Sequence, residues 1–522
     1  MQEQQEAAAR KAVSEPVSRP ISEPLAKPAR KPRPDLTQGP ITSALLVFSL
    51  PVLGSNALQS LNGSVNQFWV SHSLGVTAIT AIGNANIVMM LMIGVIFGVS
   101  MAANILVAQS VGARNMPMVK RVMGTSITFF AVLALLVSAA GYFFSPHILA
   151  AMGTPADSLE EAEVYLRIVF LSMPFLYFFA FLQMAQRGIG DSRTPFYFML
   201  LAVVLDLLLN PLLIRGIGPF PNLGIAGSAM STFIGQGIAL ACLVATLYAR
   251  KSPLMLRWSE RKLLVPEPAL IKTLVMRGLP MGCQMLVMSG AAIVMIGFVN
   301  SYGAVTAAAY TAASQVWTYI QMPAMALGAA VSSMAAQNIG ANKWDRVAKI
   351  ARSGVGSGVV ITGLIALAIY AMGDLTLHIF LPPDSVALPV ARHINDTVLW
   401  SFVLFTVTFA LSGVVRATGT VWPPLIILIV SMFLIRIPFA SLMVPRFGAD
   451  AIWWSFPLGT ITASVLTALY YRYGNWKGTR LVQPLEPTSH TADTGMATPA
   501  VCEDHEPDAR PAPGELATAR AG

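Results

Sequence analysis

Long apolar stretches separated by short polar loops fill the chain between residues 41 and 474. Each stretch is 22 to 35 residues long, and a helix needs about 20 apolar residues to cross the hydrocarbon of a bilayer. The short alternating segments typical of a transmembrane β-barrel are not found. The pattern predicts an all-α integral membrane protein with twelve transmembrane helices. We place them at 41–70, 77–108, 118–149, 158–186, 194–216, 222–250, 267–300, 304–336, 344–378, 386–415, 423–444 and 448–473.

The composition supports this class of protein. Of the 522 residues, 55% are hydrophobic and 11% are charged, with a mean hydropathy of +0.63, which excludes an ordinary soluble domain. Charge is concentrated at the two ends, because residues 1–40 and 475–522 hold 23 of the 59 charged side chains. These ends lack an apolar face, so we predict that both are disordered cytoplasmic tails.

Lysine and arginine alternate between the loops of the apolar region. Loops that follow even-numbered helices hold 17 of them, and loops that follow odd-numbered helices hold three. Because basic loops stay in the cytoplasm, the pattern predicts a multi-pass protein of the cell inner membrane with both termini cytoplasmic. The same distribution accounts for the net charge of +9 without a nucleic-acid partner.

The two halves of the chain repeat each other. Residues 107–114 (VAQSVGAR) return as 335–342 (AAQNIGAN), an offset of 228, and residues 187–195 (RGIGDSRTP) return as 416–424 (RATGTVWPP), an offset of 229. A unit of six helices gives both copies the same orientation in the membrane. The repeat therefore predicts a pseudo-twofold axis along the membrane normal.

We predict two parallel-repeat six-helix bundles, 41–250 and 267–474, around a central cleft. Residues 251–266 would form a basic, amphipathic cytoplasmic linker that could also contact anionic lipid headgroups. Transport would follow if the bundles rock and open the cleft to one side at a time. A duplicated scaffold without transport is the alternative.

Asp206 is the main candidate for chemistry. It lies in the middle of an apolar run, with Asn210 one helical turn later on the same face. An ionisable residue inside a membrane helix is costly and marks a functional site by default. A carboxylate here could take up a proton from one side of the membrane and release it to the other. The alternative is a permanently protonated acid that holds helices together through hydrogen bonds.

A polar stripe runs along the first helix. Its members are spaced by 4, 3 and 4 residues, so they share one face of an otherwise apolar helix. They are Ser55, Gln59, Asn62 and Asn66. We predict that the stripe faces Asp206 inside the amino-terminal bundle, that Asn62, Asn66 and Asn210 form its proton-coupling shell, and that Gln59 lines the substrate cavity.

The seventh helix carries a different set of side chains. Gln284 lies beside Met281, Met285 and Met288 at helical spacing, with no acid among them. Methionine suits surfaces that bind varied apolar ligands. We predict that these four residues line a drug-sized substrate cavity, and ordinary helix packing is the alternative.

No motif indicates an enzyme, a cofactor or a metal. The sequence has no GxxxxGK[ST] phosphate loop, no GxSxG, no HExxH and no CxxC, and its three cysteines and six histidines show no metal-ligand spacing. We therefore expect a protein that is not an enzyme and uses no cofactor.

These features together resemble the multidrug and toxic compound extrusion (MATE) family, closest to its DinF-like branch. The resemblance covers residues 41–474 and rests on the duplication, on RGIGDSRTP after the fourth helix, on the Q-x-x-G-A turns and on LIRIPFASLMVPRFGADAIWWS. It implies an antiporter that exports organic, often cationic or amphipathic compounds in exchange for protons or sodium.

The resemblance also implies roles for single residues. The family's first-helix aspartate falls on Asn66, and the glutamate of NorM-like members falls on Met288. The family's Asn and Asp, four apart before a proline on the fifth helix, stand here in exchanged order as Asp206 and Asn210. With Asn66 in place of the usual carboxylate, Asp206 is the residue that could carry the coupling role.

We predict a secondary active efflux antiporter that works by alternating access, takes small organic compounds and protons, and functions as a monomer in the bilayer. Sodium-coupled export is one alternative. A lipid-linked glycan flippase of the related superfamily is another, and it would need a cleft lined with basic residues. A membrane-embedded enzyme or sensor would need clustered catalytic side chains at one membrane face. The residues do not identify the substrate.

Overall fold

The computed structural model describes residues 35–482 apart from residues 75 and 155. The first half of the described chain contains six long helices. They are α1 (Ile41–Leu74), α2 (Val76–Gly112), α3 (Met116–Ala151), α4 (Ala156–Gly188), α5 (Arg193–Arg215) and α6 (Ile225–Ala249). A short 3₁₀ helix, Trp258–Leu264, precedes the second half.

The second half follows the same plan with more breaks. Its helices are α7 (Pro268–Asn300), α8 (Ala304–Gly340), α9 (Trp344–Met372), α10 (Asp374–His378), α11 (Ala387–Val398), α12 (Ser401–Ala417), α13 (Trp422–Ile429), α14 (Ile437–Phe447) and α15 (Asp450–Tyr473). A π-helical segment, Val430–Arg436, joins α13 to α14. The axes of α11 and α12 differ by 47°.

Length and composition identify the membrane-spanning elements. In the described chain, ten helices are long and apolar enough to cross a bilayer, and the bent pair α11 and α12 adds an eleventh span. At 37 residues, α8 is long enough to be a twelfth span. It is less apolar because its second half, rich in alanine, glycine and serine, is buried against other helices instead of lipid. The prediction of an all-helical membrane fold is confirmed.

The predicted helix positions agree closely with the observed ones. Most ends lie within four residues of the prediction, and the breaks inside the ninth, tenth and eleventh spans were not predicted. The boundary predicted for the tail at 475–522 lies too early in the chain. Trp476 and Val482 are 2% and 5% exposed, because they pack against the helices. The tail predicted at 1–40 likewise extends too far, since Leu36 is 2% exposed and its backbone oxygen accepts from the Asn338 amide at 3.1 Å. Residues 1–34 and 483–522 lie outside the described residues.

The two halves meet where α2 crosses α8, and the contact follows the sequence repeat. A Cβ atom on Gly112 would lie 1.9 Å from the backbone oxygen of Gln337, and one on Gly340 would lie 2.0 Å from that of Gln109. The side-chain amide of Gln109 donates to the backbone oxygen of Ala417 (2.7 Å), and that of Gln337 donates to the oxygen of Gly188 (2.7 Å). We call the end of the molecule at these residues the basic end, because the lysine- and arginine-rich loops lie there.

The contact between the halves continues toward the middle of the same helices. A Cβ on Gly98 of α2 would lie 2.2 Å from the backbone oxygen of Gly278 of α7. Farther along these helices, an added Cβ at Gly83 or Gly297 would meet nothing within 4 Å. The described contacts between these helices thus lie toward the basic end.

The linker between the halves is packed against α3. Lys120 pairs with Glu260 (2.5 Å) and Arg121 with Glu267 (2.5 Å). A Cβ on Gly124 would lie 2.1 Å from the backbone oxygen of Leu263, so this glycine is needed for the close approach of the linker. The linker is therefore a fixed element of the first bundle.

Candidate functional site

Asp206 lies inside the first bundle, where helix α6 supplies two hydroxyl donors. The residue is 2% exposed. The Ser231 hydroxyl donates to its Oδ1 at 2.5 Å, and the Thr232 hydroxyl donates to the same oxygen at 3.3 Å. A buried carboxylate keeps its charge only if hydrogen bonds replace its hydration, and these two donors provide part of that replacement.

Helix α1 supplies the remaining donors. The Asn66 amide donates to Asp206 Oδ2 at 3.0 Å, and Asn62 also forms a side-chain hydrogen bond with this carboxyl group. Asn210, fully buried one turn after Asp206, donates from its amide to Oδ1 of Asn66. The three amides and the carboxylate form a continuous hydrogen-bonded chain between α1 and α5.

Local sequence explains why these side chains meet. Asp206 and Asn210 are four residues apart on α5, as are Asn62 and Asn66 on α1, so each pair presents neighbouring side chains on one face. Gly235 of α6 lets that helix approach α5 closely, since a Cβ there would lie 3.3 Å from the backbone oxygen of Ala202. Larger residues at this crossing would move the hydroxyls away from the carboxylate.

The hydrogen-bond partners described for Asp206 are all neutral donors. Within the described part of the chain, no lysine, arginine or histidine forms an ion pair with it. A carboxylate without a permanent counter-charge can be neutralised only by a proton or by a mobile cation. The arrangement can therefore bind and release a cationic species.

The structure brings together all four predicted coupling residues. Asp206, Asn210, Asn66 and Asn62 form one network, as predicted, and their role in coupling stays a prediction. Gln59 is exposed on the same helix, and the Ser55 hydroxyl bonds to its own helix through the backbone oxygen of Pro51 (2.9 Å). Sequence reasoning missed Ser231 and Thr232, because small hydroxyl residues are common in apolar helices and carry no distinguishing spacing.

The predicted cavity residues of α7 separate into two groups. Gln284 and Met288 line a cavity of about 40 Å³ in the second bundle. Met281 is 2% exposed and belongs to the hydrophobic core, and the Cβ of Met285 lies 3.7 Å from the Cβ position of Gly94 on α2. Gln284 and Met288 thus share this small cavity, and a drug-sized substrate cavity lined by all four residues stays a prediction.

A larger cavity lies in the first bundle, between α2, α3 and α4. Its volume is about 480 Å³, and its lining is almost wholly apolar, including Leu91, Phe144 and Phe170. Neither Gln59 nor Asp206 contributes to it. Its position between the outer helices separates it from the coupling network.

The corresponding place in the second bundle holds a positive charge. Arg436 ends the π-helical segment and packs on Gly459 of α15, as Asp206 packs on Gly235 of α6. Its guanidinium group lies 3.5 Å from the centre of the Phe456 ring. The extra residue of a π turn shifts the helix register, so the repeat offset of 229 becomes 230 between Asp206 and Arg436.

Metal binding finds no support in the described residues, which contain no group of three or more His, Cys, Asp or Glu side chains placed to hold an ion.

Known proteins resemble this chain in sequence and in fold. The family model MatE matches residues 51–212 and again residues 280–442. The chain belongs to the MATE family. The second match starts 229 residues after the first, which confirms the internal repeat. Members of this family are transporters and not enzymes.

The similarity extends over nearly the whole length of known relatives. The chain is 35% identical over 445 residues to the probable multidrug resistance protein YoeA of Bacillus subtilis, covering 84% of this chain and 96% of that protein. It is 26% identical to the multidrug export protein MepA of Staphylococcus aureus, covering 80% and 90%.

Solved structures share the fold at lower identity. A MATE crystal structure in the straight conformation superposes with a TM-score of 0.78 at 20% identity, covering 84% of this chain and 96% of that one. An outward-facing MATE transporter of the MOP superfamily gives a TM-score of 0.77 at 20% identity, covering 84% and 96%. These likenesses concern the helical architecture.

Proposed function

We propose that the protein is a secondary active antiporter that exports organic compounds, cationic or amphipathic in character, in exchange for protons. The proposal rests on one observation, the buried carboxyl group of Asp206 with neutral donors and no ion pair in the described chain. Relatives named as multidrug resistance and export proteins support the class of substrate.

Proton uptake at Asp206 would reorganise the amide chain. The described bonds suit an ionised carboxylate, since the Asn66, Ser231 and Thr232 groups all donate toward it. Once Oδ2 carries a proton it becomes a donor, and the Asn66 amide must turn to present its oxygen. Asn66 then donates toward Asn210, whose Oδ1 has no partner in the described state. One proton therefore changes two hydrogen bonds that join α1 to α5.

This change in hydrogen bonding would be coupled to the opening of the cleft through the contacts of helix α1. Helix α1 contacts both α5 of its own bundle and α8 of the other half. A shift of α1 on α5 thus reaches the interface between the halves, where α8 crosses α2. A proton moving down a potential of 100 mV supplies about 2.3 kcal/mol, enough to bias two arrangements that differ by a similar amount.

The orientation follows from the charge of the loops. We place the basic end in the cytoplasm of a bacterial-type cell, with the protein in the inner membrane and both termini cytoplasmic. In this orientation, the close crossing of α2 and α8 lies at the cytoplasmic side, and we place the opening of the proposed cleft at the outside. We propose that one chain carries the whole pathway, because each of its two bundles lines the same cleft.

Export from proteoliposomes tests the coupling role. In the Asp206→Asn protein the amide oxygen still accepts from Ser231 and Thr232, so the fold should persist. Proton-driven dye export should fall by at least tenfold, because the amide does not titrate. Asp396→Asn is the matched control, since that carboxylate is exposed, and it should export at the unmodified rate.

Two outcomes contradict the proposal. Export driven by an imposed sodium gradient and unchanged in Asp206→Asn would show a different coupling ion and site. Retained proton-driven export in a well-folded Asp206→Asn protein would leave the residue as a structural hydrogen-bonding group only.

A further inference from the structure

Arg416 lies at the end of α12, and its side chain reaches into the second bundle. Its Nη1 donates to Oε1 of Gln284 at 3.2 Å, a residue sixteen positions into α7, or about 24 Å along that helix. No acidic side chain of the described chain pairs with this arginine. It is therefore a partly buried cation without a counter-charge.

Three hydrogen-bond donors without partners belong to residues that line one cavity. The Nε of Arg416, the Nε2 of Gln284 and the hydroxyl of Thr467 are buried, and none forms a hydrogen bond. Thr467 is 2% exposed. Buried donors are normally satisfied, and each orphan costs about 1–3 kcal/mol. An acceptor held in the cavity that these three residues share would satisfy donors that the described chain leaves unpaired.

The cavity suits a small acceptor. Its volume is about 40 Å³, more than one water needs and much less than a drug-sized molecule occupies. The lining contains no aspartate or glutamate, and Arg416 is its only charged member. The hydroxyl of Thr408, also on the lining, already bonds to Ser464 at 2.9 Å. A cation would find no counter-charge here, whereas an anion would.

We propose that Arg416, Gln284 and Thr467 form a binding site for a small monovalent anion. The shared chemistry is a single negative charge with oxygen or halide acceptors. It is supplied either by free chloride or by the carboxylate group of a transported compound. This site is separate from Asp206, and it extends the substrates of the second bundle to acidic or zwitterionic compounds.

Anion-dependent stability of the purified full-length protein tests the site. The protein is prepared in gluconate, an anion too large for the cavity, and its thermal unfolding is followed while chloride or acetate is added at constant ionic strength. We expect a saturable rise in Tm with at least one of the two, because a ligand that binds only the folded state stabilises it. A response to chloride alone assigns a halide site, and a response to acetate assigns a carboxylate site.

Substitutions assign the effect to the cavity. Arg416→Gln should abolish the rise, and Thr467→Val should weaken the apparent affinity about tenfold, as expected for one hydrogen bond to a charged group. Thr467→Val should not lower Tm in gluconate, since the hydroxyl has no protein partner to lose. Arg436→Gln, which removes a buried cation of the same bundle outside this cavity, should keep the full response.

The proposal is overturned if neither anion raises Tm. It is also overturned if the Thr467→Val protein responds to the anion as the unmodified protein and the Arg436→Gln control do. If the Arg416→Gln protein does not fold, the apparent anion affinity of the Thr467→Val protein still tests the proposal. These measurements require no transport, so they stand or fall separately from the coupling role of Asp206.

Discussion

At the scale of single residues, Asn66 is the centre of the Asp206 network. It donates to the carboxylate and accepts from Asn210, so it satisfies a group on each side. Asn62 contributes less, because its Oδ1 atom is buried without a partner. The two asparagines lie one turn apart on the same helix, but the side chain of Asn66 bonds to partners on both sides and the Oδ1 atom of Asn62 has none.

Replacing Asn66 with alanine should therefore destabilise the protein more than the same change at Asn62. Asn66→Ala removes a donor from Asp206 and the acceptor of Asn210, for a loss of about 2 kcal/mol in the free energy of unfolding. Asn62→Ala should cost about 1 kcal/mol or less. Denaturant unfolding in detergent measures both, with exposed Gln59→Ala as a neutral control. Equal losses at 62 and 66 would disprove this division of roles.

Periodicity predicted part of this site but could not predict all of it. Spacing on α1 and α5 puts Asn62, Asn66, Asp206 and Asn210 on two faces that need buried partners. The hydroxyls of α6 are selected by how closely two helices pack, which depends on Gly235 and not on a pattern within α6. The sequence likewise does not predict that the Arg416 side chain points into the second bundle, because a residue at a helix end can point to either the loop or the core.

At the scale of elements, the crossing of α2 and α8 holds the basic end closed. Gly112 and Gly340 let the two backbones touch, and each glutamine of the repeat caps a helix end of the opposite half. On the axis between them, Asn104 donates to Ser333 at 3.4 Å, and these two residues are 229 positions apart. The repeat predicted such a partner position but not the atoms in contact.

A methyl group at Gly112 should force this crossing open. The Cβ would lie 1.9 Å from a backbone oxygen that cannot rotate away, so Gly112→Ala should destabilise the closed end by about 1–3 kcal/mol. A cysteine at Ser333, 1% exposed in this conformation, reports the opening. In a background with the three native cysteines replaced by serine, Gly112→Ala should raise its rate of labelling by an impermeant maleimide about tenfold.

The matched control for this experiment is Gly363→Ala on α9, where an added Cβ meets nothing within 4 Å. It should label at the background rate. If Gly112→Ala labels no faster than this control, the glycine crossing does not hold the basic end closed.

At the scale of the whole molecule, the two halves share a plan but differ in charge. The duplication, the span count and the alternation of basic loops all follow from patterns that extend over hundreds of residues, which is why they could be read from the chain. The contrast between Asp206 and Arg436 depends on one inserted residue in the π-helical segment, and no hydropathy pattern records such an insertion. The coupling site proposed at Asp206 therefore has no acidic counterpart at Arg436 in the second bundle.

The proposed transport cycle needs a stable connection between the two halves, and the linker packed on α3 provides one. The Arg257 backbone N–H and the Lys120 ammonium group hold the pKa of Glu260 below its ordinary value. A lowered pKa means that the contact is complete above the ordinary carboxyl range and is lost as pH falls through the lowered value. At neutral pH the linker thus stays attached to α3.

Hydrogen exchange across residues 257–264 measures this pH dependence. After correction for the intrinsic rate, protection should be constant around neutral pH and should fall only below the ordinary carboxyl range, because the lowered pKa of Glu260 keeps its carboxylate ionised until then. Glu260→Gln should lack protection at every pH, because the amide cannot pair with Lys120, whereas Glu267→Gln, which leaves Lys120 and Glu260 intact, should keep the transition. A transition near pH 7 that survives in Glu260→Gln would show that another group controls the linker.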